Sequence, residues 1–188
     1  MRSQRLLFCT CLVVAVLAAN AVAQSDQGKK LPFLGPPPAA ELEVLAPLLG
    51  ELTTKWDVRP SLQEQEGYGA EGRATGEWLH NRHSIRVEGT AISTKHRMET
   101  TTLYSYDPVN KVYCRWLFAS TGLTTESEGQ WDEAKRTMTW KPVGLPPNVT
   151  GVVTDVFGKD RIETTVYFKR DDGKVTADIR VVATRKKQ

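Results

Sequence analysis

The chain has 188 residues, with 25 Lys and Arg against 22 Asp and Glu, a formal charge of +3. Two of those cations, Arg2 and Arg5, lie in the first 23 residues, which hold no acid, so the rest of the chain carries 23 cations against 22 anions. Such a near-neutral chain lacks the concentrated basic surface that nucleic-acid binding needs, and about 165 residues are ample for one domain and thin for two.

Residues 1–23 read as a signal peptide. Arg2 and Arg5 form a positive start, Leu6 to Ala19 an apolar stretch, and Ala21-Val22-Ala23 a small-x-small cleavage site. The apolar run is short of the ~20 residues a membrane span requires, so the expectation is an exported protein, periplasmic or secreted, with no stable membrane insertion after cleavage. Cys9 and Cys11 leave with that peptide, and the remaining Cys114 cannot form a disulfide within its own chain. Stability must then come from an apolar core.

Residues 24–39 read as a linker. Lys29, Lys30 and four prolines (Pro32, Pro36, Pro37, Pro38) favour an extended, solvated chain. Leu42, Leu45, Leu48 and Leu49 follow at helical spacing, interrupted by Pro47 and ended by Gly50, which predicts a short or broken helix. Beside a barrel, such a helix plugs one mouth or packs under the first strand.

From residue 51 onward the pattern is all strand. Candidates run over 52–58, 72–79, 82–89, 95–106, 111–119, 123–132, 136–141, 149–157, 161–170 and 174–185, with the Gly-rich segment 67–72 read as a mobile loop. The joints are local: Asp107-Pro108-Val109-Asn110, Thr121-Gly122, Asp132 to Arg136, Gly158-Lys159-Asp160 and Asp171-Asp172-Gly173. A meander of this kind cannot bury its apolar face alone and must close on itself. The expected fold is therefore all-β, a single antiparallel up-and-down β-barrel of about ten strands with a short N-terminal helix, over residues 40–188. Within it, Met98, Thr100, Thr102, Tyr104 and Tyr106 alternate in phase, as do Val112, Cys114, Trp116 and Phe118, and each set is read as facing inward. Cys114 is then a small buried residue.

Tyr104-Ser105-Tyr106-Asp107, Lys111-Val112-Tyr113 and Glu126-Ser127-Glu128-Gly129-Gln130-Trp131-Asp132, after a leucine-rich turn ending in Gly50, resemble the bacterial family DUF1579. The resemblance spans roughly residues 40 to 185. It implies a lipocalin-like barrel of the calycin group and no established activity; related calycins bind haem, fatty acids or other apolar molecules. The chain departs from the calycin pattern at the first strand. Gly50-Glu51-Leu52 stands where Gly-x-Trp is common, which leaves Trp56 or Trp78 to plug the closed end.

The sequence contains no phosphate-binding glycine loop, His-Glu-x-x-His or nucleophile elbow. His80 and His83 fall on opposite faces of a straight strand, so only a turn near Asn81 would let them share a metal. His83 is in phase with Ile85 and Val87; the plain reading is a hydrogen-bonded core histidine, and the analogy with haem-binding calycins makes it a candidate haem ligand. Glu126 and Glu128 share a face with Thr124 and Gln130 and read as solvated. Arg115 and Arg180 alternate with apolar neighbours; each forms either an outer ion pair or a lumenal clamp for a carboxylate. The candidate ligand contacts are thus His83, Tyr104, Tyr106, Arg115, Trp116 and Phe118, around a small apolar or amphipathic molecule. Two other readings stand beside this one: an enzyme with a lumenal carboxylate such as Glu99, and an envelope interaction protein whose barrel is filled.

Overall fold

The computed structural model describes residues 35–186. The targeting segment 1–23 and most of the linker lie outside them. A compact unit begins at Pro37. Its first element is a 3₁₀ helix, Ala40–Leu48, with Pro47 inside it. The leucine spacing explains the helix type. Leu42, Leu45 and Leu48 recur at every third residue, the period of a 3₁₀ helix, so they form one eclipsed row. All three are buried.

Ten strands follow: β1 (Gly50–Val58), β2 (Tyr68–Leu79), β3 (Ser84–Ile92), β4 (Arg97–Asp107), β5 (Val112–Ala119), β6 (Thr124–Asp132), β7 (Thr137–Val143), β8 (Val149–Phe157), β9 (Arg161–Arg170) and β10 (Val175–Arg185). Each pairs antiparallel with its sequence neighbour, and β1 pairs with β10 to close the barrel. The closing seam runs from Leu52 opposite Arg185 to Val58 opposite Ile179. The segment at 67–72 is not a loop: β2 begins at Tyr68 and pairs with β1 as far as Gly76. Its glycines mark close approaches rather than mobility. A Cβ on Gly76 would meet the Leu48 carbonyl oxygen at 2.0 Å, so this glycine lets the 3₁₀ helix lie directly on the strand.

The 3₁₀ helix closes one end. Its leucines pack with Leu52, Ile85, Tyr113 and Trp140, and the Tyr113 hydroxyl donates to the Glu41 carbonyl at 3.0 Å. The tryptophan expected to plug the barrel is therefore neither Trp56 nor Trp78. Trp140 is fully buried there, and Leu52, at the position where the calycin pattern has tryptophan, is itself core. Trp78 packs against the edge of this cluster, under the Arg82 guanidinium. The turn beside it, His80–Arg82, holds three successive residues at positive φ (49°, 55° and 70°). Among the described residues no helix is long and apolar enough to cross a membrane.

Candidate functional site

The strands run alternately up and down, so the loops at 59–67, 93–96, 120–123, 144–148 and 171–174 gather at the end away from the plug. Between that rim and the plug lies a cavity of about 270 Å³. Its wall is largely aliphatic and aromatic, with Met98, Leu117, Val166, Phe168 and Ile179 from four strands, interrupted by Thr100 and Thr102. These residues reach one space because inward positions recur every second residue along each strand. The lumen is thus not packed solid, as a filled barrel would be.

A polar group is buried at the inner end of this apolar space. Arg115 and Asp155, 8% and 3% exposed, both line the cavity. Asp155 is held by two donors: the Trp140 Nε1–H at 2.7 Å and the Thr164 hydroxyl at 2.5 Å. The Arg115 guanidinium lies 5.3 Å from the centre of the Trp140 ring, in cation–π contact. Tyr104 packs on the same ring at 5.6 Å. Its phenol is pushed well above the usual tyrosine range, first by burial, then by the Asp155 charge, with Arg115 acting the other way. Tyr104 therefore stays protonated across physiological pH.

Of the candidate contacts, Tyr104 and Arg115 stand together in the cavity. Tyr106 lies on the same face but further toward the plug, edge-on to Tyr113 at 5.1 Å, and does not line the cavity. Trp116 and Phe118 correct the sequence reading. The inward residues of β5 are Arg115, Leu117 and Ala119, so Trp116 and Phe118 point outward, and Phe118 is 46% exposed. Cys114 shares that outer face and is half-buried rather than core. The β4–β5 hairpin carries the reason. Asp107 pairs with Val112 across the turn, so Tyr106 opposes Tyr113 and Tyr104 opposes Arg115. Paired residues share a face, and an inward Tyr104 forces Arg115 inward against the greater hydrophobicity of the other phase. That turn spacing was a signal in the sequence that could have set the phase.

His83 ends the 80–82 turn, half-buried, and does not line the cavity. No histidine does. These residues do not fit haem. The turn near Asn81 exists, but no cluster of three metal-ligating side chains occurs among the described residues. Glu99 faces outward, bonded to Arg97 at 2.7 Å, so it is not a lumenal acid. Arg180 also faces outward, on Glu163 at 2.5 Å. The carboxylate that does reach the lumen is Asp155, which alternation along 149–157 did not single out.

The family model described as "Protein of unknown function (DUF1579)" matches residues 37–185. No curated protein matches the sequence. Among solved structures, the chain is similar to Rv2717c from M. tuberculosis, with 11% identity and a TM-score of 0.60 over 80% of this chain and 99% of that one. It is also similar to the S-type phycobiliprotein lyase CPES from Guillardia theta, with 11% identity and a TM-score of 0.54 over 80% of this chain and 94% of that one. Likeness at this identity concerns the fold.

Proposed function

From the premise that the chain belongs to the DUF1579 family, we propose that it is an exported barrel that binds a small apolar or amphipathic molecule in its lumen. The observation that carries the reading is the cavity of about 270 Å³, apolar along its wall and polar at its inner end. A concave, mostly apolar site with a few fixed polar groups is the usual form of a small-molecule site. The outer end of the cavity, by Met98, Leu123 and Pro142, adjoins the loop-bearing rim, which gives a ligand one way in. Export rests on the charged start, apolar stretch and Ala21-Val22-Ala23 of the N-terminal segment.

Native mass spectrometry of the protein recovered from its own exporting host tests both halves. The expected result is a chain beginning at Gln24 with a co-purifying small molecule, and loss of that molecule in Val166→Trp, which fills the cavity. A bare chain in both, with no neutral or charged amphiphile binding on titration, overturns the binding reading.

A further inference from the structure

Among the described residues, Arg115 stands apart from the other cations by its burial. Ion pairs elsewhere in the barrel sit on the exposed outer face, such as Arg97 with Glu99 and Arg180 with Glu163. Arg115 is more than nine-tenths buried. Its Nε makes no hydrogen bond, and among the described residues its guanidinium has no ion-pair partner. Directly across on β6, the Ser127 hydroxyl is also buried and without a hydrogen bond. Removing a guanidinium from water is expensive unless a charge and acceptors replace the water. The adjacent carboxylate does not do this, because Asp155 is engaged by Trp140 and Thr164 and forms no ion pair with Arg115. The Trp140 ring supplies a weak cation–π contact alone.

We infer that the ligand of this cavity is a monocarboxylate that enters head first and places its carboxylate on Arg115, with its chain along Leu117, Val166 and Phe168. The inference rests on the binding reading above and adds the chemistry of the head group. A guanidinium suits a carboxylate because its N–H groups match the two oxygens. Tyr104, protonated and on the same wall, is a hydroxyl donor within the same polar group. A primary amine has the opposite demand. It would have to sit beside the Arg115 guanidinium, whose like charge opposes it, to reach Asp155, which the Trp140 and Thr164 donors already stabilise. The size of the cavity limits the chain. At about 270 Å³ it suits a single chain of medium length, for which nine carbons is the length tested.

Calorimetric titration of the full exported chain with nonanoate, 1-nonanol and nonylamine at neutral pH tests this. Nonanoate is expected to bind at least tenfold more tightly than either neutral or cationic analogue. In Arg115→Met that advantage disappears, and in Arg115→Lys, which keeps the charge without the planar fork, part of it remains. Nonanol binding as tightly as nonanoate to the natural chain overturns the carboxylate assignment and leaves lumenal binding standing. Tighter binding of the amine overturns it in favour of Asp155. Failure of all three to bind overturns both readings. The comparison among ligands on the natural chain decides the matter even where an Arg115 variant does not fold.

Discussion

Trp140 holds the inner end of the cavity together. Its indole N–H is bonded to Asp155 on β8, one face carries the Arg115 guanidinium from β5, and Tyr104 of β4 packs against it. Gly129 lies under the same ring: a Cβ there would meet the indole carbons at 2.5 Å. Asp155→Ala is expected to destabilise the barrel by about 1–3 kcal/mol, since the buried donors of Trp140 and Thr164 lose their acceptor. Asp155→Asn, which keeps an acceptor oxygen, should cost less. Urea unfolding of the two variants checks the order. The tyrosines make a second prediction, at alkaline pH. Burial pushes Tyr113 from an ordinary value of 10.0 up to about 12, and Tyr104 is raised too. The folded state then holds protons that the unfolded chain releases, so stability is fully present below pH 10 and falls as pH rises toward the folded values. A melting temperature that is level up to pH 10 and drops between pH 10 and pH 12 is the expected profile. Phase along β4 was legible in the sequence because Met98, Tyr104 and Tyr106 fall in one phase and Glu99, Thr101 and Ser105 in the other. Phase along β5 was not legible from hydrophobicity, because its outward set, Trp116 and Phe118, is the more apolar one. A strand whose larger apolar residues face outward misleads any count of hydrophobic positions, and only the pairing across the turn corrects it.

At the scale of elements, strand boundaries were readable to within a few residues because glycine, asparagine and aspartate mark the joints. Asp107 accepts backbone N–H bonds from Val109 and Asn110 at 2.8 and 3.1 Å, which fixes its turn. Its carboxyl is held below the usual range by the Asn110 side chain first and then by those backbone bonds. Strand β2 was harder: Tyr68 to Gly76 has five glycines and alanines in nine positions, so its inward face carries little hydrophobic signal. Those small side chains admit the 3₁₀ helix and leave room in the lumen. The last strand has the opposite character. Ile179 and Val181 of β10 line the cavity, and the strand bonds to both β1 and β9. Deleting residues 174–188 is expected to abolish cooperative folding, because it exposes two strand edges and opens the core at once. Circular dichroism of the truncated chain checks this, and a soluble product with a sharp thermal transition would contradict it.

For the molecule as a whole, closure determines what the barrel can do. The plug of Leu42, Leu45 and Leu48 and the rim of five loops divide it into a sealed end and an accessible end. The overall class was legible because about ten strands in a row with local joints leave few alternatives. The cavity itself was not, since its volume is what remains after side chains from all ten strands have packed. The β1–β10 seam has a consequence for the order of the chain. In a ring where every strand bonds to two neighbours, no strand is first or last in any physical sense. The backbone N–H of Lys186 already donates to the Glu51 carbonyl, and the Arg185 side chain reaches the Pro47 carbonyl at 3.2 Å. The chain's exit from β10 therefore lies beside its entry into β1. A circular permutant that joins residue 186 to Pro37 by a flexible glycine linker and opens the chain at 144–148 is expected to keep the barrel and melt in one transition. The connectivity of this protein is one of several cuts through the same ring.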